Sequence, residues 1–125
     1  MKAFKRSEFI KLPAGTIFSK SEGPDCLDIM TGLFCKTSGP DEYMNDWTEQ
    51  NLIGEFGFPG GFSDGIEALA HVMELRDAGK EFELDLDCTG RDGLYNDDSE
   101  ILIAWDKKDI SKLRDYLNNC LDKFI

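Results

Sequence analysis

The chain has 125 residues, 41% of them hydrophobic, and carries 25 acidic against 14 basic side chains for a formal charge of −11. That length holds one core, its apolar content excludes a disordered chain, and no apolar run approaches the ~20 residues that cross a bilayer. So acidic a surface repels phosphate backbones, which excludes direct DNA or RNA binding.

The charge is uneven. Residues 1–20 carry five basic groups against Glu8, whereas residues 81–100 carry eight acids against Arg91. Met1-Lys2-Ala3-Phe4-Lys5-Arg6 has no long apolar segment behind its charges, so no signal peptide is expected and the cytoplasm is the expected compartment. Cys26, Cys35, Cys88 and Cys120 are scattered without a CxxC pair, and His71 is the single histidine. The thiols therefore read as small reduced side chains, not as disulfides or zinc ligands.

In chain order, Ser7 to Leu12 predicts one helical turn capped by Ser7 and stopped before Pro13. Thr16-Ile17-Phe18-Ser19 is β-branched and aromatic and predicts a strand. Cys26 to Lys36 alternates as one long strand or as a tight hairpin around Gly32, between turns at Gly23-Pro24-Asp25 and Gly39-Pro40-Asp41. Residues 41–62 combine Tyr43, Trp47, Phe56, Phe58 and Phe62 with five glycine and proline breaks at Gly54, Gly57, Pro59, Gly60 and Gly61. Such a loop either closes over the core or forms a recognition surface.

Ser63 or Asp64 caps a helix on which Ile66, Leu69, Ala70 and Met73 recur at helical spacing, and Gly79 fits its C-terminal stop. His71 falls on the polar flank of this helix. Glu81 to Asp87 alternates strictly, Phe82, Leu84 and Leu86 against four carboxylates, and predicts a half-buried strand. Residues 88–99 read as a loop. Ile101 to Trp105 is apolar on both faces and predicts a central strand. Asp106 or Asp109 caps the last helix, whose Ile110, Leu113, Tyr116, Leu117, Cys120, Leu121 and Phe124 form an apolar stripe. The expected architecture is one α+β domain over residues 1–125, an antiparallel or mixed sheet with two helices packed on one face.

Asp85, Asp87, Thr89 and Asp92 set closely spaced oxygens on a glycine-kinked segment, the donor type that hard divalent cations take. An EF-hand is rejected, because Asn96 stands where the bidentate glutamate belongs and a strand pattern precedes the loop. The bland reading of the same segment is a solvated strand face followed by turns. A metal-assisted hydrolase using Asp85, Asp87, Asp92 and Asp97 is the one enzymatic reading left. There is no nucleophile elbow, and the glycine-rich Gly57 to Gly61 lacks the lysine of a phosphate loop.

Leu12-Pro13-Ala14-Gly15-Thr16-Ile17-Phe18-Ser19-Lys20, Asp87-Cys88-Thr89-Gly90-Arg91-Asp92-Gly93-Leu94-Tyr95 and Ile103-Ala104-Trp105-Asp106-Lys107-Lys108-Asp109 resemble a group of small acidic proteins encoded in bacteriophage genomes. The resemblance covers both ends of the chain better than residues 40–80, and it implies a setting in an infected bacterium but no catalytic residues. In that setting the expected function is a non-catalytic inhibitor of a host or defence protein. Its acidity suits a basic nucleic-acid-binding groove on that protein, with Tyr43, Trp47, Phe56, Phe58 and Arg91 as candidate contacts. The alternative is a protein that sequesters a small nucleotide, stacking it on Tyr43, Trp47 or Phe56 and pairing its phosphates with Lys20, Lys36 or Arg91.

Overall fold

Ile101-Leu102-Ile103-Ala104 is apolar on both faces because it lies between two neighbours inside a sheet. The computed structural model describes residues 1–21, 29–39, 46–53, 65–87, 89–91 and 100–124. These contain β1 (Lys2–Lys5), α1 (Arg6–Phe9), β2 (Ile17–Ser21), β3 (Thr31–Lys36), β4 (Thr48–Asn51), α2 (Gly65–Asp77), β5 (Thr89–Arg91), β6 (Ile101–Ala104) and α3 (Lys107–Leu121). The strands form one open six-stranded sheet in the order β1-β6-β2-β3-β4-β5. Every pairing in it is antiparallel. The fold is α+β, built on a single antiparallel sheet.

Side-chain alternation divides this sheet into two faces. On the first, Phe18 stands opposite Phe34 of β3 and Ala104 of β6, and Lys36 stands opposite Glu49 of β4. The short helix α1 packs over β1 and β6 and lays Phe9 on this face. Phe9, Phe18, Trp47 and Leu102 form the core, all at 0% exposure. Phe9 meets Phe18 and Trp47 at ring separations of 4.6 and 4.9 Å. The second face carries Ile17, Leu33, Cys35 and Gln50, with Ile103 and Trp105 beside them.

Ser19 ties the two central strands together. The β2–β3 register shifts between Phe18 and Lys20, where Ser19 donates to the carbonyl of Gly32 at 2.7 Å and accepts from Trp105 Nε1 at 3.0 Å. Gly32 has φ of 71°, and a Cβ there would come within 2.5 Å of the Phe34 ring, so glycine is required. At the end of α2, Gly79 has φ of 67°, Lys80 N–H reaches Leu75 and Gly79 N–H reaches Arg76. That pattern is a Schellman stop, as expected for Gly79.

Several local expectations need correction. Ser7 does not cap α1; Lys5 precedes the helix and supplies no side-chain bond. The apolar residues of α2 surround the helix, and it is Ala68 and Val72 that are buried while Ile66, Leu69 and Met73 are exposed. Residues 81–87 form no continuous strand and are bridged only at Leu84. Asp85 takes the backbone N–H of Asp87 at 2.8 Å, a local bond that competes with a ladder, and four carboxylates on one side repel each other. The edge strand falls instead on Thr89–Arg91, within the expected loop. Ser63, Asp64 and residues 22–28 lie outside the described residues.

Candidate functional site

The two faces of the sheet treat charge and apolar surface differently. On the core face, ionic groups are buried together. The Arg6 guanidinium stacks 4.3 Å above Trp47, donates to Glu100 at 3.0 Å and lies 3.8 Å from Asp46. Trp47 Nε1 donates to Glu49 at 3.2 Å, and Glu49 also pairs with Lys20 at 2.9 Å. The Lys36 ammonium is fully buried and donates to the carbonyls of Ile10 (2.8 Å) and Leu12, holding the chain after α1 against the sheet. Burial pushes the Lys36 ammonium below the usual lysine pKa, and it pushes the Cys35 thiol up.

On the second face lies an apolar groove of about 780 Å³. Its floor is Ile17, Leu33, Leu52 and Trp105. Ile110, Leu113, Leu117 and Leu121, one stripe of α3 at spacings of three and four residues, form one wall. Leu84, Leu86 and Ile53 also line it. Arg114 and Asn118 are the only polar side chains among the described lining residues. No residue of α3 is buried, and Leu84, Leu86, Leu117 and Leu121 are 63, 54, 52 and 63% exposed. The apolar stripe of α3 therefore faces an open trough, not a filled core.

The residues singled out from the sequence do not gather here. Trp47 is corrected from a recognition side chain to a core one: at 0% exposure it has no face to offer a partner. Tyr43, Phe56 and Phe58 lie outside the described residues. Arg91 ends β5, its backbone paired with Thr48. Lys20 and Lys36, candidate phosphate partners, are engaged by Glu49 and by the Ile10 and Leu12 carbonyls. Thr89 is exposed in β5 beside Gln50, and Asp92 lies outside the described residues. Among the described residues no three Asp, Glu, His or Cys side chains converge on one point. Cys35 and Cys120 carry free thiols, both half-buried, whereas Cys26 and Cys88 lie outside the described residues.

The groove was overlooked because its parts read as core. The Phe82, Leu84, Leu86 alternation and the α3 stripe each announce an apolar face, and an apolar face usually means burial. The signal available in the sequence is that two such apolar faces occur in one short chain. No protein-family model, curated protein or solved structure matches the chain.

Proposed function

We propose that the protein acts by binding, without catalysis, and that the groove between the sheet and α3 is where a segment of its partner docks. One observation carries this reading: a trough of about 780 Å³ in which Leu84, Leu86, Leu117 and Leu121 are each more than half exposed, on a chain with a separate, filled core. A contiguous apolar surface of this kind on a small protein marks an interaction site, since leaving it in water is unfavourable by ~25 cal/mol per Å². The likeness of residues 12–20, 87–95 and 103–109 to small acidic phage proteins supports a host or defence protein as the partner, met in the cytoplasm.

The test is capture from bacterial lysate with the wild type and with Leu117→Asp, each first shown to be folded by circular dichroism and thermal melting. A protein retained in stoichiometric amount by the wild type and lost with Leu117→Asp is the expected result. A partner retained equally by both would place the binding surface elsewhere.

A further inference from the structure

We infer that the occupant of the groove is an amphipathic helix with basic flanks, contributed by another protein; the inference rests on the docking reading above and specifies its chemistry. Shape gives the helix. The α3 wall runs from Ile110 to Leu121, ~16 Å at 1.5 Å per residue, which matches about three turns of a second helix lying alongside. Its leucines recur at three- and four-residue steps, the spacing that an apolar helix face reads. Among the described residues the trough is open to water at Leu117 and Leu121, whereas a small-molecule site encloses most of its ligand.

Charge gives the flanks. The segment that supplies Leu84 and Leu86 interleaves them with Glu81, Glu83, Asp85 and Asp87, and no basic residue occurs between 81 and 87. These carboxylates lie in the same short segment as the groove leucines, within the ~8–10 Å over which charge acts at physiological salt. Lysines or arginines on the edge of a docked helix that lies beside residues 81–87 meet that field, which speeds encounter and penalises acidic competitors there, whereas the α3 wall, with Arg114 in the lining and Lys107, Lys108 and Lys112 on the same helix, supplies no such field to the other edge. Charge also disfavours a second copy as occupant, because two molecules of charge −11 repel each other.

The probe is a labelled synthetic peptide of about 15 residues, made of leucine and lysine with the leucines on one helical face. Its controls are the same composition scrambled and a twin with glutamate for every lysine. Binding is followed by anisotropy, by calorimetric stoichiometry and by the emission of Trp105, which lines the groove. The expected result is one peptide per chain, a blue shift lost in Trp105→Phe, and binding weakened roughly tenfold or more by scrambling or by Leu117→Asp. Glu81→Gln with Glu83→Gln is expected to weaken it severalfold and to flatten its salt dependence. Equal binding of the scrambled or glutamate peptide, or indifference to Leu117→Asp, overturns the inference. So does a dimer on sizing that Leu117→Asp dissociates. If the peptide fails while a Leu117-dependent partner is still captured from lysate, the basic helix falls and the docking reading stands; failure of both removes both.

Discussion

The two faces of one sheet spend their apolar residues in opposite ways. The face under α1 is closed: Phe9, Phe18, Trp47 and Leu102 have no exposed surface, and even Arg6, Lys36 and Asp46 are buried among them. The face beside α3 is open, with Leu84, Leu86, Leu117 and Leu121 each more than half exposed and no residue of the helix buried. The comparison separates stability from function. Substitutions on the closed face should unfold the protein, whereas substitutions on the open face should leave it folded and change what it binds.

The largest effect is expected at Trp47. Truncation to alanine removes an indole packed near Phe9 and Phe18 and takes away the ring on which the buried Arg6 guanidinium stacks. Large-to-small changes at such sites cost about 3–5 kcal/mol, a large part of the stability of a small domain. Urea denaturation of Trp47→Ala should show a folded state lost or barely populated. A midpoint close to that of the wild type would mean that the closed face is not the core.

Lys36 comes next. Lys36→Met keeps the length of the buried stem but leaves the Ile10 and Leu12 carbonyls without their donor. An unsatisfied buried acceptor costs about 1–3 kcal/mol, so a loss of about 2 kcal/mol is expected in urea denaturation. The sign of the burial effect partly offsets this. The ammonium has a lowered pKa in the folded state, so folding is disfavoured by its charge up to the folded pKa, and stability regains this as pH rises toward the ordinary value of 10.5. That alkaline gain should be present in the wild type and absent in Lys36→Met.

These two positions also mark how far the sequence could be read. The strands at Ile17–Ser21 and Ile101–Ala104 are legible from their β-branched, aromatic and continuous apolar residues, and the helix at Lys107–Leu121 from an apolar stripe that keeps the helical period. Thr48–Asn51 was not, because Thr-Glu-Gln-Asn has no strand character of its own. Glu49 and Gln50 are polar yet buried, with Glu49 held by Lys20 and Trp47 and Gln50 donating to Asn51 and Asp85 carbonyls. The pairing is imposed by partners distant in sequence, which local pattern does not contain. Trp47 was misjudged for a related reason. It sits in a segment with turn chemistry around it, while its burial depends on Phe9 of α1, 38 residues earlier in the chain. The groove was legible only in pieces, since a stripe on α3 does not say whether the facing sheet fills it.

On the open face the expected effects on stability are small. Leu117→Asp replaces a side chain that is 52% exposed, so the loss of stability should stay within ~1 kcal/mol by thermal melting even as binding weakens roughly tenfold or more. A collapse of the fold in this variant would erase the contrast between the faces, because it would make the α3 stripe part of the core.

The smallest effect tests what holds α3 in place when its own residues are not buried. Asp106 accepts the backbone N–H of Asp109 at 2.9 Å, and Asp109 returns the bond to the Asp106 N–H at 3.2 Å, a reciprocal cap on the first turn. The Asp109 N–H bond, above all, holds the Asp106 carboxyl below its ordinary pKa of 3.8. A carboxylate with a lowered folded pKa gives stability that is complete above the unfolded value and is lost as pH falls through the folded one. Helicity should therefore decline in acid, and Asp106→Asn, which still caps but does not titrate there, should show a shallower decline than the wild type below about pH 4. The α3 wall exists as a helix with little help from packing, so a local cap has more to do on the open face than any equivalent bond on the closed one. If Asp106→Asn follows the wild-type acid profile, the cap is not what orders the wall, and contacts along the groove itself must supply that order.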